Sequence, residues 1–120
     1  GGESARVVRM LHALRAEGEQ VPGLLGWVAG ELQKLAGFAQ VQASGGNLGA
    51  AMKAARIWES RQAQYRRALQ RHPLERWEAF VSECAGVDRV GKGRGDGDPW
   101  LRLERLLLAV AEPRAARLLA

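Results

Sequence analysis

The stretch Pro22-Gly23-Leu24-Leu25-Gly26-Trp27-Val28-Ala29-Gly30-Glu31-Leu32-Gln33-Lys34-Leu35-Ala36-Gly37-Phe38-Ala39 decides the fold class. Leu25, Val28, Leu32, Leu35 and Ala39 are spaced three, four, three and four residues apart. At about 100° per residue that spacing draws one apolar stripe down a helix. Pro22 suits its first turn, where the missing N–H has no partner to lose. The same stretch carries a second pattern. Gly23, Gly26, Gly30 and Gly37 gather within roughly 60° of one another, on the side away from Val28 and Leu32. Each glycine costs a helix about 1 kcal/mol relative to alanine. Either another helix approaches this smooth face closely, or the face is solvated and tolerates them. A membrane role for Gly26-xxx-Gly30 is not expected, because Glu31 and Lys34 interrupt the segment.

Working outward, the same period recurs. Val7, Met10, Leu11 and Leu14 predict a first helix, with Ser4 as its N-cap and Gly18 as its stop. Ala43–Gly49 is a loop, and Asn47 caps a short third helix reaching about Ala55. Ile57 to about Gln70 is a fourth helix, read as separate from the third or continuous with it. His72-Pro73 breaks the chain, and Pro73 opens a fifth helix with Trp77, Phe80, Val81 and Cys84 on its apolar face. Gly91–Asp98 is a loop with four glycines in eight residues. Asp98-Pro99 then caps and opens a sixth helix, lined by Trp100, Leu103, Leu107 and Val110 and ended by Pro113, with 114–120 a short helical tail. Threonine does not occur and no stretch alternates with period two, so strands are not expected. The expectation is a single all-α domain over residues 1–120, a compact bundle of about five to six helices.

Composition narrows the function classes. One cysteine, Cys84, forbids an internal disulfide. The longest stretch without formal charge, Leu35–Met52, holds Gln40, Gln42, Ser44 and a Gly45-Gly46 break, so it cannot span a bilayer. The chain therefore reads as soluble and cytoplasmic, and its opening on Gly1 rather than Met reads as a fragment of a longer subunit. Net charge is +5, carried by fifteen arginines and three lysines. That balance suits an anionic partner, or reflects a coding bias toward Arg, Ala and Gly; the charges are scattered rather than run together.

Motifs for chemistry are weak. Gly86-Val87-Asp88-Arg89-Val90-Gly91-Lys92-Gly93 matches the first seven positions of a phosphate-binding loop. Gly93 stands where the magnesium-binding hydroxyl belongs and no strand precedes the segment, so the reading is a helix end. His12, His72 and Cys84 are too scattered for a metal site, and both histidines read as surface residues. Ser4, Ser44, Ser60 and Ser82 have no neighbouring base pattern. No catalytic residue, cofactor or metal is expected. The basic residues of the fourth helix are more informative. Arg56, Arg61, Arg66, Arg67 and Arg71 surround Trp58 and Tyr65. Trp58 reads first as a core residue with the arginines as a solvated rim. The alternative is an interface, for which Arg and aromatic anchors are typical, or stacking on single-stranded DNA.

Taken in order, several stretches resemble the C-terminal domain of the delta subunit of the bacterial DNA polymerase III clamp loader. They are Arg9-Met10-Leu11-His12-Ala13-Leu14-Arg15-Ala16-Glu17-Gly18, Leu24-Leu25 with Glu31-Leu32, Arg56-Ile57-Trp58-xx-Arg61, Ala68-Leu69-x-Arg71, Val87-Asp88-Arg89 with Lys92-Gly93, and Asp98-Pro99-Trp100-xx-Leu103-Glu104-x-Leu106. One departure is visible: the family commonly shows Leu-Leu-Trp in the second helix, whereas here Gly26 occupies the aromatic position and Trp27 follows. The resemblance implies a clamp-loader collar fold and a non-catalytic, oligomerising role within a DNA-directed DNA polymerase holoenzyme. It implies gamma/tau and delta prime subunits as partners, and contact with the sliding clamp only through an N-terminal part outside this chain. Arg56, Trp58, Arg61, Tyr65 and Trp100 are then the candidate subunit interface. Lys92 and Arg94, in a loop that the family places near primer–template DNA, are candidate phosphate contacts. The alternative is a helical nucleic-acid-binding domain acting alone.

Overall fold

A computed structural model describes residues 2–93 and 97–114. Helix α1 spans Gly2–Ala16, α2 Val21–Ala43, α3 Leu48–Ala54, α4 Glu59–Leu69, α5 Leu74–Gly91 and α6 Pro99–Ala111, with no strand among the described residues. The all-α expectation holds. Ser4 lies inside α1 rather than capping it, because the helix already runs from Gly2.

The centre is the pair α2–α5, the most extensive helix contact in the molecule. Every residue of the α2 stripe, Leu25 through Ala39, is buried, joined by Phe38. From α5 come Trp77, Phe80 and Val87, which have no exposed surface. Helix α6 closes the core and also receives α1, while α3 and α4 lie against α2. The buried ridge of α6 is Leu103, Leu106 and Ala109; Leu107 and Val110, expected there, are only half-buried on its flanks. Burying each large apolar side chain is worth about 1.5–3 kcal/mol, so this layer dominates the stability. The glycine face of α2 is open: a methyl group added at Gly23, Gly26, Gly30 or Gly37 would meet nothing within 4 Å. No helix among the described residues comes within 4 Å of these positions.

Helix ends follow one device. At α1, α2 and α5 the backbone passes into the left-handed region at a glycine: Gly18 (φ 92°), Gly45 (φ 76°) and Gly93 (φ 75°). At α1 the Glu19 N–H donates to Leu14 O and the Gly18 N–H to Arg15 O, closing the turn. Asn47 and Asp98 cap α3 and α6 as expected: their side chains accept from the Ala50 N–H and the Trp100 N–H, each at 2.9 Å.

His72 is not a surface residue. It is 5% exposed, with Trp77 and Phe80 edge-on to its ring at 5.1 and 4.9 Å. Its Nε2–H donates to Val110 O at 2.9 Å, tying the α4–α5 turn to the end of α6. The Trp77 indole N–H in turn donates to His72 O at 3.2 Å. A histidine flanked by Arg71 and Pro73 shows no apolar periodicity, which is why spacing misplaces it.

Candidate interaction surface

Helices α3 and α4 are separate, joined by a corner at 55–58. The corner has the same closing pattern as the glycine ends. The Arg56 N–H donates to Lys53 O at 2.9 Å and the Ile57 N–H to Met52 O at 3.0 Å. Here, though, the left-handed position is held by Arg56, at φ 61°, the one non-glycine residue there among the described residues. A side chain in that conformation costs about 1–2 kcal/mol. Ile57 turns inward and is buried beside Met52. The next residue, Trp58, is therefore turned outward.

Trp58 is 77% exposed, so it is not a core residue. Ile57 occupies the inward position that Trp58 was expected to fill. Trp58 instead precedes the first turn of α4 and borders an open groove of about 650 Å³, lined by Gly49, Lys53, Arg56, Ile57, Trp58, Glu59 and Gln62. Gln62 Nε2 donates to Ile57 O at 3.3 Å, bracing the floor. Arg66, one turn further along α4, lies outside this lining, its Nη2 standing 3.6 Å from where a Gly49 methyl would lie. Neither Lys53, Arg56 nor Arg66 forms an ion pair among the described residues.

Of the other candidates, Arg61 stays at this corner through its backbone, its N–H donating to Trp58 O at 2.8 Å, while Tyr65 and Trp100 do not. Tyr65 is buried against Phe38, and its hydroxyl donates to Glu31 Oε1 at 2.7 Å. Lys34 donates to Glu31 Oε2 at 2.9 Å, and the Arg61 guanidinium lies 3.9 Å from the same carboxylate and 5.7 Å from the Tyr65 ring centre. Burial is the largest influence on Glu31 and acts upward. The hydrogen bonds from Lys34 and Tyr65 and the charges of Lys34 and Arg61 together outweigh it and hold the carboxyl below its ordinary value. This cluster fastens α4 to α2. Trp100 is half-buried with the Arg15 side chain over its ring at 5.4 Å, so it helps to seat α1 on α6. The structure thus brings Arg56, Trp58 and the exposed Arg61 together, ties the buried Tyr65 to Glu31 of α2, and leaves Trp100 on the α1–α6 side.

Lys92 ends α5 and pairs with Asp88 at 3.0 Å; Arg94 lies outside the described residues. The stretch that mimics a phosphate loop is helical through Gly91, and Gly86 is buried beneath the Arg102 guanidinium, which Glu83 holds at 2.8 Å. Its glycine serves helix packing. No group of three metal-ligating side chains converges among the described residues, and no helix there is long and apolar enough to cross a membrane. Sequence reasoning missed Lys53 and Gln62, which join the groove only once the α3–α4 corner is known. It also missed Trp27 as a surface residue. Trp27 is 69% exposed, lying beside the open glycine face of α2.

Comparison with known proteins adds no relative: no family model, curated protein or solved structure matches the chain.

Proposed function

We propose that this chain is a non-catalytic assembly domain, the helical collar domain of a delta-type subunit of the bacterial DNA polymerase III clamp loader. In that role it holds together a loader that places the sliding clamp on primed DNA. The observation that carries the reading is the Arg56–Trp58 corner. It falls within a stretch on which the resemblance rests, and it presents an Arg and a Trp to solvent, the residue types that anchor protein interfaces. The all-α, six-helix architecture is compatible with a collar. Partners on this reading are the C-terminal domains of gamma/tau and delta prime, with clamp contact made by parts of the subunit outside this chain. Analytical ultracentrifugation of the chain with those domains at physiological salt tests it. Stoichiometric association, weakened by Trp58→Ala, is expected. Sedimentation of the chain alone in every mixture would overturn it.

A second reading has its own observation. Arg66, Arg67 and Arg71 are exposed on and just beyond α4, the helix that the Arg56–Trp58 corner leads into. That face suits a stand-alone nucleic-acid-binding domain, with phosphates on the arginines and a base stacked on Trp58. It requires tight, strongly salt-dependent binding of a DNA oligonucleotide by the chain alone. Tight oligonucleotide binding without protein association in the same experiment would replace the first reading with this one.

A further inference from the structure

We propose that the groove at the α3–α4 corner binds an acidic segment of a partner protein that carries an exposed apolar side chain. The apolar side chain packs on Trp58 and over Ile57, and the flanking carboxylates meet Lys53 and Arg56. The inference goes beyond the assembly reading and holds for any partner of that chemistry.

Independent observations meet here. The first is backbone conformation. Three other helices of this chain close the same turn with glycine, and only this one keeps a long cationic side chain at the strained position. Strain retained at one corner and relieved at its equivalents points to a use for the side chain rather than for the turn. The second is apolar exposure. Trp58 adds nothing to the core, which Ile57 fills from the neighbouring position. The third is charge. Lys53 and Arg56 both line the groove, and neither has a carboxylate partner among the described residues. Cations gathered round an apolar floor complement an acidic, apolar-tipped peptide.

A nucleic-acid strand fits less well. Its phosphates would meet Glu59 at the α4 end of the groove. A carboxylate-flanked apolar side chain can avoid Glu59, because its charges need reach only the Arg56 and Lys53 side.

The test uses the whole chain and fluorescence anisotropy of labelled hexapeptides at physiological salt. The probe is Asp-Asp-Leu-Phe-Asp-Asp. Its controls are Lys-Lys-Leu-Phe-Lys-Lys, Asp-Asp-Ser-Ser-Asp-Asp and a single-stranded oligodeoxythymidine. The proposal expects the acidic apolar peptide to bind and both peptide controls to bind at least about tenfold more weakly. Arg56→Gly, Trp58→Ala and Lys53→Ala should each weaken it by about tenfold, and Trp27→Ala should leave it unchanged. Glycine is the residue that the Arg56 backbone conformation favours, so Arg56→Gly reads side-chain loss in a folded protein. Absence of binding, equal binding by all variants, or displacement of the peptide by oligodeoxythymidine at lower concentration would each overturn the proposal. None of these outcomes bears on the sedimentation test of assembly.

Discussion

At the scale of single residues, Arg56 and His72 carry the clearest consequences. Arg56 holds a conformation that glycine adopts without steric cost. Arg56→Gly is therefore expected to stabilise the chain by about 1 kcal/mol, read as a higher urea midpoint at neutral pH. A midpoint that stays put or falls would show that the strain held at this corner does not exceed the entropy that glycine adds to the unfolded chain. His72 gives a pH dependence. Burial above all, together with the charges of Arg76 and Arg71, pushes its imidazole below the ordinary value, against the opposing pull of the Val110 hydrogen bond. Well above pH 6.5 the ring is neutral in both folded and unfolded chains and contributes no slope. Below that value the unfolded chain takes up a proton that the folded chain resists, so stability falls as pH drops and levels off once the folded ring also titrates. Urea midpoints measured from pH 7.5 down to pH 5 should show this loss, and His72→Gln should flatten it. Glu31, whose carboxyl is held low, adds its own loss only at more acid pH, below its ordinary value of 4.5.

Among the elements, α3 is the one that depends most on its ends. Seven residues make under two turns, too short to persist without capping and packing. Asn47→Ala, which removes the bond to the Ala50 N–H, should cost about 1 kcal/mol in denaturant unfolding. A change near zero would mean that burial of Leu48 and Met52 alone holds the element. Legibility also divides element by element. The α2 stripe could be read outright, because five apolar residues at helical spacing admit one face. The Asn47 and Asp98 caps and the Gly18 stop could be read for the same local reason: each is set by a side chain or a missing one at a known position. The α3–α4 corner could not. Arginine is not a turn residue, and the left-handed step at Arg56 is imposed by the need to bury Ile57 beside Met52, a tertiary fact. Trp58 was misplaced with it, since a helix assumed to begin at Ile57 aims both residues differently. On α6 the run Leu106-Leu107-Leu108 offers several stripes, and only the position of α5 selects the one through Leu106 and Ala109. Of the candidate site, the pairing of Arg56 with Trp58 was legible from their proximity in the chain, while Lys53 and the internal fate of Tyr65 were not.

Across the whole molecule the packing is uneven. The Cα radius of gyration, 14.7 Å, exceeds the roughly 13.6 Å expected for a chain of this length, and the long axis extends 40 Å against 26 and 25 Å for the others. Helix α2 is in contact with α3, α4, α5 and α6, whereas α1 rests chiefly on α6. Of the stripe read for α1, only Leu11 is fully buried, and Met10 is 46% exposed. Local opening should follow that gradient. Native-state hydrogen exchange is expected to release α1 amides well before those of α2 and α5. Simultaneous exchange of all three would mean that the molecule opens as one unit. The distribution of the four tryptophans has a further, optical consequence. Trp77 is sealed in the core and Trp100 is half-covered, while Trp27 and Trp58 stand in water on different helices. The red edge of the intrinsic emission therefore comes from the last two, and in a Trp27→Phe background from Trp58 alone. Whatever settles into the groove at the α3–α4 corner shifts that emission to the blue and shields it from acrylamide, so the protein reports its own occupancy without a label.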